Sequence, residues 1–279
     1  MKMNCSLHPN GWTAYIDLDL KTCTQDDVNA VAKLISTNVV VVFKNQFLNV
    51  EEELRLVHMF KDPLKQFNKD YDRYDDYVVD PDAFICRVTA GLRNGKPGQG
   101  GWKAAHDWHV DDATIPTRRD LLYMHGVTGT KGSRTSFTNS LLAYKELDND
   151  IKNSLNDLHC FYSNPYAPFD PDFTKLSYND KWPVKIVREN IANIKGLFYI
   201  PPQMQKFIEL PQEESDQLKE KLTSHIFNDK YVYHHDWEDG DIVISDQWHS
   251  IHKRWAFDKM DVRLLHRASI SYPEQDYTE

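Results

Sequence analysis

The chain has 279 residues, 41% of them apolar, and 42 acidic side chains against 33 Lys and Arg give a formal charge of −9. That length supports one sizeable core, and the acidic balance without a Lys/Arg block excludes a protein that binds by neutralising phosphates. The longest apolar run, Val39 to Phe43, is far short of the roughly 20 residues that cross a bilayer. Met1 to Tyr15 lack a basic region followed by an apolar stretch. Cys5, Cys23, Cys86 and Cys160 stand apart with no CxxC pair, which suits neither a disulfide scaffold nor a thiolate zinc site. The expectation is a cytoplasmic protein with reduced, mostly buried thiols and neither nucleic acid nor membrane as a partner.

Thr24 precedes Gln25, Asp26 and Asp27 and then Val28, Val31, Leu34 and Ile35, a capping residue and acidic first turn ahead of helical apolar spacing. The β-branched run Val39 to Val42, closed by Phe43, follows as a buried strand. A second helix starts at Asn49, with Glu52 as capping-box partner, and turns Val50, Leu54, Val57 and Phe60 inward. Five of the eleven glycines then fall in Gly91 to Gly101, a flexible loop or a mobile lid. Just before it, the acidic cluster Asp70 to Asp82 reads as a solvated loop that could border a substrate entrance.

From Ala83 onward the pattern changes to short strands: Phe84 to Val88, Leu121 to His125, Thr135 to Asn139, Val184 to Val187, Leu197 to Ile200, Tyr231 to Trp237, Asp241 to Ser245 and Arg263 to Tyr272. Helices interrupt them at Leu141 to Leu158 and after Pro211, a first-turn position ahead of Leu218, Leu222 and Ile226. No repeat or linker divides the chain. The fold expected is a single domain over 1–279, mainly β with peripheral helices, of the double-stranded β-helix or jelly-roll kind.

The chemically richest segment is Ala105-His106-Asp107-Trp108-His109-Val110-Asp111-Asp112. Residues two apart on an extended backbone point the same way, so His109 and Asp111 can present an imidazole and a carboxylate to one metal, with His106 and Asp112 as competitors. A second segment, Gly240 to His252, runs from a Gly-Asp turn through an apolar strand to His249 and His252, where a strand rim would deliver a third ligand. Two histidines and one carboxylate on one face, with other coordination positions open, form the facial triad of non-haem Fe(II) oxygenases. The open positions let a bidentate co-substrate and dioxygen reach the same ion. Arg263 and Arg267, in an apolar strand, need a reason, because an unpaired buried guanidinium costs several kcal/mol. A bound dicarboxylate supplies one, since the planar fork matches a carboxylate.

With these motifs in this order, the chain resembles the taurine dioxygenase family of Fe(II)- and 2-oxoglutarate-dependent oxygenases over nearly its whole length. The likeness begins at Val39-Val40-Val41-Val42-Phe43 with Lys44-Asn45-Gln46, reaches His109-x-Asp111 and Gly240 to His252, and ends at Arg263-x-x-x-Arg267. It implies that His109, Asp111 and His252 are the iron ligands, the spacing from Asp246 choosing His252 over His249. It implies that Thr135 and Arg263 grip the distal carboxylate of 2-oxoglutarate, and that Arg267 lies near the other co-substrate carboxylate and can meet an anionic substrate. Dioxygen is then the oxidant, succinate and CO2 are released, and a small, anionic or amino-acid-derived metabolite is hydroxylated or desaturated. Asp111 favours those outcomes over halogenation, in which a halide takes the carboxylate's place.

Two features depart from the family pattern. Ala105 stands where taurine dioxygenase has an Asn that helps hold the sulfonate, which argues against taurine. Ser133-Arg134 replaces the usual Gly-Asp before Thr135. Trp102 and Trp108 are expected as pocket walls, and the loop from Gly91 to Trp108 as a closing element. A homo-oligomer is compatible with the sequence. Rival readings are a zinc-type hydrolase using the same His/Asp/His site, which leaves Thr135, Arg263 and Arg267 without a task, and a non-catalytic jelly-roll binding protein. His8, His58, His125, His159, His225, His234, His235 and His266 are expected to be structural or surface groups.

Overall fold

A computed structural model of the chain describes residues 3–66, 69, 74–111, 120–162 and 183–271. Both expected N-terminal helices are present with their caps. Gln25–Asn38 opens on a capping box in which Thr24 Oγ1 accepts from Asp27 N–H at 3.3 Å and Asp27 Oδ2 accepts from Thr24 N–H at 2.9 Å. Val50–Phe60 repeats the device with Asn49 and Glu52. Its buried face keeps the expected Val57 and Phe60 and differs at the other two positions. Glu53, Leu56, Val57 and Phe60 point inward, while Val50 and Leu54 are half-buried. A carboxylate holds a core position here because the sheet beneath supplies it with two histidines, described below.

Val39 ends the first helix at φ +65° and releases Val40–Phe43 as a wholly buried strand. That strand lies inside an eight-stranded sheet of order Asn4–Leu7, Ala14–Asp17, Val40–Phe43, Ile242–Asp246, Leu121–Thr128, Leu264–Ser271, Asp62–Pro63, with Cys86–Val88 also paired to Leu264–Ser271. A four-stranded sheet of order Val232–Asp236, Arg134–Thr138, His252–Arg254, His106–His109 faces it. Strand alternation divides the apolar residues between two cores. Val40, Val42, Leu122, Met124, Val243 and Leu265 of the large sheet pack on Phe137, Tyr233 and Trp237 of the small one. The opposite face, Val41, Phe43, Tyr123, Ile244, Ala268 and Ile270, packs on Val28, Val31, Ile35, Leu56 and Val57 of the helices. The double-stranded β-helix with peripheral helices is thus present. A third cluster joins His159–Tyr162, Val184–Lys185 and Met204–Phe207 to Gln212–Ile226.

Several elements differ from expectation. The helix expected from Leu141 to Leu158 is two, Ser140–Lys145 and Asn149–Leu155, because the chain turns Leu147 into the core and restarts behind Asp148. Pro211 stands at the N-cap of Gln212–Ile226 rather than in its first turn. The strand expected at Leu197 to Ile200 is Lys195–Leu197, and Phe84 to Val88 shortens to Cys86–Val88. Val184 to Val187 splits into Val184–Lys185 and Val187–Glu189, which join different sheets. The glycine-rich loop contains a hairpin, Leu92–Arg93 with Lys96–Pro97. Asn94 at φ +53° and Gly95 at φ +78° make its two-residue turn, the Asn-Gly signal that a reading by glycine count passes over. Cys23, Cys86 and Cys160 are buried free thiols and Cys5 is exposed. Asp112, Tyr272 and part of the Asp70 to Asp82 cluster lie outside the described residues.

Candidate metal centre

His109 ends the strand His106–His109, His252 begins His252–Arg254, and the two residues are direct cross-strand partners. Their rings lie 4.1 Å apart, and Asp111, two residues past His109, returns to the same spot. One ligand atom from each of His109, Asp111 and His252 lies within 4.8 Å of the others. His109 Nδ1 is 2.6 Å from the backbone oxygen of Asp107, so it donates there and leaves the Nε2 lone pair toward Asp111, 3.7 Å away. A backbone carbonyl that fixes the tautomer is the usual support of a metal-binding imidazole. Burial, with the neighbouring His109, pushes His252 down to about 3, and burial also lowers His109, so both rings are neutral near pH 7, the form in which an imidazole can take a metal. Burial opposes ionisation of Asp111, but Arg267 and then the two imidazoles outweigh it and hold the carboxyl below its usual range. Two neutral imidazoles and one carboxylate, with no fourth protein ligand among the described residues, fit an Fe(II) centre with open positions.

The competitors are resolved by contact. His249 is buried with Nδ1 3.3 Å from Asp246 and Nε2 3.1 Å from the Arg188 backbone oxygen, against Gly196, where a Cβ would fall 2.5 Å from its ring. It therefore stands apart from the triad. His106 stacks on His109 at 3.6 Å but contributes no ligand atom to the group.

The remaining expected residues divide. Arg263, 1% exposed, donates from Nε to Ser133 Oγ at 3.0 Å, and among the described residues no carboxylate lies within ion-pair distance. Burial, and then the charge of Arg254, push it down to about 9. Thr135 is buried, its Oγ1 accepting from Trp237 Nε1 at 2.9 Å. Trp102 meets the His106 ring edge-on at 5.4 Å and borders the centre. Trp108, one residue before His109 and so on the other side of its strand, stacks on Phe227 at 5.0 Å. Arg267 is already engaged: Nη1 donates to Asp111 Oδ2 at 2.6 Å and Nη2 to Gln66 Oε1 at 2.9 Å.

Sequence reading missed a second cluster. Glu53, His125 and His266 are all buried between the second helix and the large sheet. Glu53 accepts from His266 Nδ1 at 2.8 Å and from His125 Nδ1, and His125 Nε2 lies 2.8 Å from the Gln46 backbone oxygen. Both ring nitrogens of His125 face an acceptor and both Glu53 oxygens face an imidazole, so the polar groups of this cluster satisfy one another. The available signal was the acid at position 53, one turn before Leu56 and Val57 on an apolar face.

A model of the taurine catabolism dioxygenase TauD, TfdA family matches residues 6–269. The chain belongs to this family. Its similarity to the alpha-ketoglutarate-dependent 2,4-dichlorophenoxyacetate dioxygenase of Cupriavidus pinatubonensis is 24% identity over 274 residues, 94% of this chain and 95% of the relative. Pentalenolactone F synthase of Streptomyces avermitilis is 23% identical over 181 residues, 58% of this chain and 59% of that one. Among family folds, AAD-2 in complex with Mn(II) and N-oxalylglycine superposes with TM-score 0.79 at 21% identity, covering 97% of this chain and 98% of its own. A taurine dioxygenase from Burkholderia xenovorans gives TM-score 0.75 at 19% identity over 96% and 90% of the two chains.

Proposed function

We propose that this protein is an Fe(II)- and 2-oxoglutarate-dependent oxygenase that hydroxylates or desaturates an unactivated C–H bond of a small organic acid, releasing succinate and CO2. The observation that carries the reading is the convergence of His109, Asp111 and His252 within 4.8 Å, in a fold that also buries Arg263 with no carboxylate beside it among the described residues. Bound at this site, Fe(II) with 2-oxoglutarate and dioxygen would supply the oxidising power that side chains lack.

The chain's own residues do the rest. His109, Asp111 and His252 hold the ion from one side. Arg263 offers its guanidinium to the distal carboxylate of 2-oxoglutarate, where charge-assisted hydrogen bonds in a dry site are strong. Trp237 occupies one lone pair of the Thr135 hydroxyl, so that hydroxyl is free to donate to the same carboxylate. Arg267 orients Asp111 and keeps it ionised, and Trp102 and His106 wall the centre.

A small acid as substrate is supported by relatives named for 2,4-dichlorophenoxyacetate and (S)-phenoxypropionate, while Ala105 removes a sulfonate contact. No helix among the described residues is long and apolar enough to cross a membrane. Four free thiols suit a single 1–279 domain working in the reducing cytoplasm. The test is succinate release by purified protein with Fe(II), 2-oxoglutarate and oxygen, with and without candidate acids. Succinate from wild type and none from His252→Ala is expected. A wild type that hydrolyses substrate with zinc and forms no succinate overturns the proposal.

A further inference from the structure

Arg254 is a buried charged residue of the four-stranded sheet with no part in the function proposed so far. It lies two residues after His252 on one strand, so both side chains leave on the same face. Across the strand pair it is the direct partner of Thr135, just as His252 is the partner of Phe137, and directly opposed residues share a face. From the other side it is paired with His106, whose ring stacks on His109. It is 7% exposed, and its guanidinium lies over the Trp102 ring, 5.5 Å from the centroid. Its charge is felt at His106 and His109 and also at Arg263. Arg254 therefore lies near both the candidate metal ligands and the arginine assigned to the co-substrate.

Two guanidiniums in one interior repel each other, and an anion between them offsets that repulsion. The ligand already proposed for this space is a dianion. Its keto-acid end is directed to the metal ligands and its distal carboxylate to Arg263 and Thr135, the residue beside Arg254.

We propose that Arg254 is a further co-substrate-binding residue, joining Arg263 and Thr135 around the distal carboxylate of 2-oxoglutarate, with Trp102 holding its guanidinium plane. This rests on the oxygenase reading and gives the site a second arginine for that carboxylate.

The experiment compares anaerobic binding of 2-oxoglutarate and of 2-oxopentanoate, which has a methyl group where the distal carboxylate stands, to the Fe(II)-loaded protein by calorimetry. Arg254→Gln is expected to weaken 2-oxoglutarate about tenfold or more, to leave 2-oxopentanoate nearly unchanged, and to retain its Fe(II). Arg254→Lys, which keeps the charge but not the fork, is expected in between and carries the test where the Gln variant does not fold. Unchanged 2-oxoglutarate affinity in the variants, or equal weakening of both keto acids, overturns the assignment. Wild type that binds neither keto acid overturns the oxygenase reading itself, an outcome separate from the variant comparison.

Discussion

Arg267 Nη1 donates to Asp111 Oδ2 at 2.6 Å, which makes a carboxylate of the candidate metal centre half of a largely buried ion pair. One oxygen faces the guanidinium and the other lies 3.7 Å from His109 Nε2, so the arginine leaves the second oxygen for an ion that the three residues would hold. Removing one partner of a buried pair leaves an uncompensated charge at a cost of about 3–5 kcal/mol. Arg267→Met is therefore expected to loosen Fe(II) strongly and to lower the melting temperature, with Arg267→Lys between it and wild type. Anaerobic metal titration checks this. Wild-type affinity in the Met variant would show that Asp111 is held by other means.

The two histidines near the end of the Gly240 to His252 segment should separate cleanly. His252→Ala is expected to lose stoichiometric Fe(II) while keeping its fold. His249→Ala should keep the metal and lose stability, by roughly 1–3 kcal/mol, because Asp246 and the Arg188 carbonyl lose a buried partner. Metal content by elemental analysis, beside a denaturant melt, distinguishes them. The reverse pattern would reassign the ligand.

Trp237 acts on Thr135 through one hydrogen bond of 2.9 Å. Trp237→Phe keeps most of the ring and deletes the donor, a change of about 0.5–1.5 kcal/mol. The expected result is a several-fold higher KM for 2-oxoglutarate with kcat near wild type. A fall in kcat alone would place Trp237 elsewhere in the reaction.

Glu53 gives the acid limb of stability a specific source. Burial alone would raise its carboxyl, but hydrogen bonds from His125 and His266 bring it below the ordinary value of 4.5. A carboxyl depressed in the folded state contributes stability above its unfolded pKa and loses it as pH falls through the folded value. Stability is thus expected to decline below about pH 4.5. Glu53→Gln should lower stability at pH 7 and flatten that decline, as followed by urea melts across pH. An unchanged acid limb would assign it to other carboxylates.

Local chemistry made much of the architecture readable. Thr24 with Asp27 and Asn49 with Glu52 announced helix starts because caps act within four residues. His109, Asp111 and His252 were readable because strand alternation and a recurring spacing put them on one face. What escaped depends on partners distant in the chain. Nothing near Glu53 indicates that His125 and His266 lie beneath it, and nothing near Arg267 names Asp111 as its acceptor. Trp108 was expected at the pocket by proximity in sequence, yet alternation sends it to Phe227. Arg254 carried a usable signal, its place two residues after His252, once the strand was known to be extended.

Among the described residues, the strand His106–His109 is the outer member of the four-stranded sheet and is hydrogen-bonded on one side only. A rim strand zipped along a single seam frays before its neighbours, and this one carries His109 of the candidate metal centre, with His252 across that seam. Coordination would therefore rivet the sheet's margin as well as assemble the catalyst. Amide hydrogens from 106 to 109 should exchange faster in chelated protein than in protein reloaded with Fe(II), while the inner strand Arg134–Thr138 stays equally shielded in both.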